Sequence, residues 1–342
     1  MTPVAAPEQT APSHGRPGSV EPGSPRARRV TSTDVFCLVL VAAVVLRLAA
    51  PQLFTPPAVQ AWTTVFAAIC IQAAPYLVLG VTISTAIAVF VPPTFFARVL
   101  PSRPALAVPV AGMAGVALPG CECGSVPVAA SLMRRGVAAA PAIAFLLAAP
   151  AINPVVLVAT AVAFPGRPEM VLGRFVASLL TAVVVGWLWL RLGRTPPLPA
   201  RFAAHADASR GERVRVTAAH DLAQSLGLLV IGAAAAATIN VAVPPSWLDG
   251  VAGHVVGGVI ALAVLAVVIA VCSEADAFIA ASFTRFSPTA QLAFMAVGPA
   301  VDVKLIAMQI GTFGGRVAAR LAPLAFAVAV GSAALVGWWL LP

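Results

Sequence analysis

The sequence predicts an all-α integral membrane protein with about seven to nine transmembrane helices in two internal repeats, each repeat holding a broken or re-entrant helix. Three observations carry this. The 342-residue chain is 60% hydrophobic and only 10% charged, against roughly 25% charged residues in a soluble domain. Apolar runs near the roughly 20 residues that a helix needs to cross a bilayer recur along the chain. Only helices or closed barrels span a membrane, and barrel strands alternate apolar with polar residues; these runs do not alternate, so helices are predicted. Finally, a set of landmarks returns at a nearly constant offset.

Residues 1–30 are rich in Pro, Gly, Ser and Thr without an apolar face, which predicts a disordered cytoplasmic tail. The tail ends in Arg26, Arg28 and Arg29, ahead of an apolar run from Val35 to Ala50 that lacks a persuasive cleavage site. An uncleaved first helix follows, at 34–50, with its N-terminus in the cytoplasm. Further spans fall at 62–91, 138–164, 170–193, 218–243, 288–312 and 318–341. The stretches 104–134 and 251–285 are apolar but interrupted by polar residues. The loop 194–217, with Arg194, Arg201, Arg210, Arg213 and Arg215, is predicted to be cytoplasmic. It separates the first helix plus repeat 1 (31–193) from repeat 2 (218–342).

The repeat rests on five separated landmarks. Gly80, Pro92 and Pro93 return as Gly232, Pro244 and Pro245, 152 residues later. Cys121, Ser131 and Arg134 return as Cys272, Ser282 and Arg285, 151 later. Pro150-Ala151-Ile152-Asn153 returns as Pro299-Ala300-Val301-Asp302, 149 later. Duplicated halves are a common transporter plan, with the site at their interface near the midplane. If 104–134 dips in and returns, Arg134 and Arg135 share the cytoplasmic side with the arginine-rich loop, which favours inverted over parallel halves.

The net charge of +9 sits in short loops and tails, where it orients helices, so no nucleic-acid partner is expected. Five irregularly spaced cysteines exclude a disulfide framework. Cys37 and Cys70 lie within apolar runs and read as packing residues. His14, His205, His220 and His254 form no cluster, and no phosphate loop, Ser/His/Asp set or zinc-hydrolase motif is present. Gly311-Thr312-Phe313-Gly314-Gly315 reads as a turn at a helix end.

Three constellations carry candidate chemistry. Pro119-Gly120-Cys121-Glu122-Cys123-Gly124-Ser125-Val126-Pro127 will not continue a regular helix and marks a break in an apolar stretch. Such breaks survive at membrane depth only when buried in protein or lining a cavity. Outside a helix, Cys121 and Cys123 can approach one soft, thiophilic centre. Its repeat partner is Cys272-Ser273-Glu274-Ala275-Asp276. Convergence of the two breaks would gather Cys121, Cys123 and Cys272 beside Glu122, Glu274 and Asp276. Intramembrane carboxylates are costly and point to ion or proton pathways, and burial favours their neutral form. The alternative reading makes the cysteines packing residues and Glu122 a solvated vestibule charge. The third constellation pairs Asn153, in Pro150–Pro154, with Asp302, in Gly298–Lys304, at breaks whose freed backbone groups can hold a substrate or coupling ion. The alternative there is two kinked helices with Asp302 and Lys304 as a buried pair.

Through Gly120–Pro127, Pro150–Pro154, Cys272–Asp276 and Gly298-Pro299, the chain resembles the predicted-permease family that includes bacterial organoarsenical efflux permeases, over roughly residues 62–341. The resemblance implies a multi-pass plasma-membrane permease with cysteines at its centre, not an enzyme and without a cofactor. Trivalent arsenic binds thiols strongly, so the expected cargo is a thiophilic solute such as a trivalent metalloid or organoarsenical. Cys121, Cys123, Cys272, Asn153 and Asp302 are expected to bind it, and Glu122, Glu274 and Asp276 to couple protons. A metal ion or sulfur compound as cargo, or a membrane thiol oxidoreductase, are the alternatives. The expected partners are the small-molecule or metalloid substrate and the lipid bilayer; the sequence leaves a homo-oligomer open.

Overall fold

A computed structural model describes residues 56–92, 95, 99–118, 121–192, 210–242 and 255–341. The tail 1–30, the span 34–50, Pro93, Pro119, Gly120, most of the loop 194–217, Pro244, Pro245 and His254 lie outside the described residues. Among the described residues all regular structure is helical.

The first half holds α1 (Pro57–Phe90), α2 (Pro104–Ala114) with a 3₁₀ turn at Gly115–Ala117, α3 (Glu122–Arg134), α4 (Ala139–Ile152), α5 (Pro154–Ala163) and α6 (Pro168–Leu192). The second holds α7 (Arg210–Ala242), α8 (Val255–Ile269), α9 (Asp276–Ser282), α10 (Pro288–Val297), α11 (Val303–Phe313) and α12 (Gly315–Leu340). α7 begins within the segment read as loop, so Arg210, Arg213 and Arg215 are helical.

Five spans are long and apolar enough to cross a membrane: Pro57–Phe90, Ala139–Ala163, Pro168–Leu192, Val214–Ala242 and Gly315–Leu340. The other apolar helices are short. At 1.5 Å per residue, the 15 residues of α8 rise about 22 Å, against a hydrocarbon core of about 30 Å. The stretch read as one span at 288–312 is two helices, α10 and α11, parted at 298–302 where Gly298-Pro299 ends the first. Of the Gly311–Gly315 segment read as a turn, only Gly314, at φ 90, lies between helices; Gly311, Thr312 and Phe313 end α11 and Gly315 begins α12.

α1 packs on α3 and α7, α4 on α2, α3 and α6, α6 on α12, α10 on α8 and α12, and α11 on α7 and α12. Two contacts link the halves through their broken helices: α3 meets α11, and α9 meets α5. The ends of the bundle are distinct. Arg134, at the end of α3, lies 3.7 Å from Asp221 of α7, and Gln224 of α7 donates to the Gly311 carbonyl of α11, just before α12 starts. At the other end of α12, Gly337 packs on Thr289 at the start of α10. From Gly315 to Gly337, α12 rises about 33 Å between these ends.

Candidate substrate site

The site grows from helix starts. Cys121 precedes α3 in extended backbone (φ −84, ψ 177), and its carbonyl accepts the first amides, Gly124 N at 3.0 Å and Ser125 N at 3.3 Å. Cys123 lies in the first turn, and both cysteines are fully buried. They are positioned by close backbone packing: any Cβ on Gly80 of α1 would overlap the Gly124 backbone. Glycine at both positions therefore lets α1 lean directly on the cysteine turn.

The second thiol source is the unwound segment between α8 and α9. Ala270 ends α8 at φ 52, the left-handed region that costs an L-residue about 1–2 kcal/mol. The chain then turns so that the Cys272 carbonyl accepts from Ala275 N at 2.9 Å and Asp276 N at 3.1 Å. Cys272 is buried. Sulfur from Cys121, sulfur from Cys272 and a carboxylate oxygen of Glu122 all lie within 4.8 Å of one another. All three motif cysteines are free thiols.

Lys304, in the first turn of α11, closes the cluster. Its Nζ lies 2.5 Å from Glu122 Oε1 and 3.2 Å from Asp302 Oδ2. It donates to the Ala270 carbonyl at 2.9 Å and reaches Cys272 Sγ at 3.9 Å. The strained Ala270 thus presents its carbonyl to the lysine. A Cβ on Gly232 of α7 would come within 2.7 Å of the Lys304 Cα, so α7 clamps this turn as α1 clamps the cysteine turn. Lys304 and Asp302 are fully buried, and Glu122 is 1% exposed.

A second charged cluster stands at the start of α9. Arg174, in the second turn of the apolar helix α6, is fully buried. Its guanidinium clasps both Asp276 oxygens at 2.8 Å and donates to Thr160 Oγ1 and the Ser273 carbonyl, each at 3.0 Å. This planar, bidentate geometry is the arrangement that best offsets the desolvation of a buried pair. Glu274 differs: both of its carboxylate oxygens are buried without a hydrogen-bond partner, as is Ser273 Oγ.

The two polar caps are alike. Asn153 Oδ1 accepts from Val156 N at 3.0 Å and starts α5; Asp302 Oδ1 accepts from Leu305 N at 2.5 Å and starts α11. Asn153 Nδ2 also donates to the Ala149 carbonyl at 3.0 Å, stitching the break in the 139–163 span.

Of the residues singled out in the sequence, Cys121, Cys272 and Glu122 come together, Lys304 joins Asp302 to them, and Cys123 is buried in the adjoining first turn of α3. Asp276 is held by Arg174, Glu274 is half-buried with both carboxylate oxygens lacking a hydrogen-bond partner, and Asn153 serves its own helix break. Arg174 was not anticipated: it sits inside a plain apolar run, and only its charge there marked it.

A family model described as predicted permease matches residues 59–337. The UPF0718 protein YcgR of Bacillus subtilis (strain 168) is 33% identical over 261 residues, 74% of this chain and 89% of that protein. A putative two-component membrane permease complex subunit of Streptococcus mutans serotype c (strain ATCC 700610 / UA159) is 29% identical over 270 residues, 75% of this chain and 89% of its own length. No solved structure matches.

Proposed function

The chain belongs to the predicted-permease family, and on that premise we propose that it is a plasma-membrane efflux permease for a thiophilic small solute, a trivalent metalloid or organoarsenical, carried through the site at Cys121, Cys123 and Cys272. The observation that supports the cargo is the approach of the Cys121 and Cys272 sulfurs to within 4.8 Å of one another, with Cys123 buried in the adjoining helix turn, because arsenic(III) takes two or three sulfur ligands. A site of this kind must also release its load, and competition by protons for the sulfurs serves that need.

Glu122, Glu274 and Asp276 remain the proposed coupling groups. Glu274 fits this role best, since Lys304 and Arg174 already hold the other two. The halves are proposed as inverted repeats. The paired caps at Asn153 and Asp302, the paired glycine clamps at Gly80 and Gly232, and the separation of Arg134 from the start of α10 along α12 all favour that plan. Alternating access would then rock the two halves about the cysteine cluster.

A metal ion is the second reading of the cargo, favoured by the mutual approach of Cys121, Glu122 and Cys272. The name of the Streptococcus mutans relative also suggests a second subunit for this chain; co-purification from native membranes with a distinct membrane protein supports that, and a homo-oligomer alone opposes it.

The test is export. Wild type and the Cys121→Ser/Cys123→Ser variant are expressed in a metalloid-sensitive bacterium lacking its own arsenic pumps, loaded with a trivalent methylarsenical or arsenite, and assayed for retained arsenic. Lower retention in the wild type, lost in a variant that still reaches the membrane, supports the proposal. Equal retention in wild type and empty vector removes arsenic as cargo.

A further inference from the structure

We propose that Lys304 sets the charge class of the cargo: its ammonium group fills the carboxylate side of the Cys121–Glu122–Cys272 cluster and bars soft divalent cations, leaving the sulfurs to an uncharged thiophilic solute. This rests on the reading of the cluster as the cargo site and narrows what that site accepts.

Without the lysine, the cluster has the makings of a metal site. Two sulfurs and one carboxylate lie within 4.8 Å of one another, a ligand set suited to zinc or cadmium. Glu122 is 1% exposed and its Oε2 has no hydrogen-bond partner, so an acceptor stands ready beside the thiols. Lys304 Nζ, however, is 2.5 Å from Glu122 Oε1 and 3.9 Å from Cys272 Sγ. The ammonium therefore sits between the carboxylate and one of the sulfurs, and a divalent ion on the same ligands would share that space with a fixed positive charge. Repulsion between such charges is strong where water does not screen them.

The lysine is not free to withdraw. Asp302 and the Ala270 carbonyl hold its head, 3.2 and 2.9 Å away, and Gly232 of α7 packs on its backbone. An uncharged arsenical or metalloid hydroxide meets no such repulsion and needs only sulfur. Lys304 thus acts as a tethered cation that satisfies Glu122 in place of a transported one.

The test measures Cd²⁺ binding to purified, detergent-solubilised full-length protein, by equilibrium dialysis with elemental analysis and by sulfur-to-cadmium charge-transfer absorption. Wild type and Lys304→Arg, which keep the positive charge, are expected to bind Cd²⁺ weakly. Lys304→Met frees Glu122 and is expected to bind on the order of tenfold tighter or more, with the gain lost on adding Cys121→Ser. Should Lys304→Met fail to fold, Lys304→Met/Asp302→Asn removes the pair together and leaves the net charge of the Glu122–Asp302–Lys304 trio unchanged; it is expected to show the same gain. Tight Cd²⁺ binding by the wild type, or a folded double variant without the gain, overturns the proposal. Because the assay uses Cd²⁺ and purified protein, its outcome is independent of whether cells export arsenic.

Discussion

Lys304 and Glu122 stand in the first turns of α11 and α3, and their side chains meet 2.5 Å apart in the protein interior. This pair joins two helix starts from opposite halves of the chain and brings the cysteine turn against the second helix break. The charged side chains at the centre are thus part of the architecture as well as of the proposed site.

The Arg174–Asp276 pair gives a direct stability prediction. Both side chains are buried and bonded bidentately, and removing one member of such a pair costs about 3–5 kcal/mol because the other is left charged in the interior. Arg174→Met and Asp276→Asn are each expected to lower the thermal midpoint in detergent markedly, and the double variant to recover much of the loss. A double variant as unstable as the sum of the singles would show that the two residues do not act as a pair.

The glycine clamps predict a steric penalty. Gly80→Val and Gly232→Val each push a side chain into the backbone of the turns that carry Cys123 and Lys304. Overpacking of this kind costs about 1–3 kcal/mol or more, and here the obstacle is backbone, which cannot step aside. Folded yield by fluorescence-detected size-exclusion chromatography should fall for both, whereas Gly331→Val, which meets open space on α12, should be tolerated. Normal yield from both clamp variants would contradict the close helix approach.

The caps allow a graded test. Asn153→Ala removes the side-chain acceptor for Val156 N and is expected to cost about 0.5–2 kcal/mol, with Asn153→Asp retaining most of the stability. Asp302→Ala should cost more, since it removes both a cap and a partner of Lys304. Thermal unfolding of the three variants in one detergent checks the order; Asp302→Ala milder than Asn153→Ala would contradict it.

Much of this was legible in the sequence, for a definite reason. Proline and glycine disfavour helix interiors, and the expected breaks appear at Asn153 and at 298–302; the cysteine motif differs, because Glu122–Pro127 lies inside α3 and only Cys121 precedes it, and Pro150 likewise stays inside α4. The partners of those residues were less visible. Arg174 lies inside α6 with no local motif, and Asp276 is 102 residues away. Lys304 was readable as a neighbour of Asp302 but not as the partner of Glu122, because the direction of its side chain depends on α7 packing against its backbone through Gly232. Long-range packing of this sort leaves no periodic trace in one chain.

Topology has its own test. Arg135 follows α3 at the end of the bundle where Arg134 meets Asp221, and Arg285 precedes α10 at the end where Gly337 meets Thr289. Arg135→Cys and Arg285→Cys are therefore expected to react with a membrane-impermeant maleimide from opposite sides of the membrane. Labelling of both from one side would contradict the inverted plan.

The central claim is that Cys121, Cys123 and Cys272 form one sulfur site for the cargo. Arsenic X-ray absorption of the purified protein loaded with a trivalent methylarsenical measures it most directly. The account predicts arsenic bonded to two sulfurs in the wild type, with that sulfur shell diminished by Cys121→Ser, whose sulfur lies within 4.8 Å of that of Cys272. An unchanged sulfur shell in Cys121→Ser, or arsenic bonded to oxygen alone in the wild type, would contradict it.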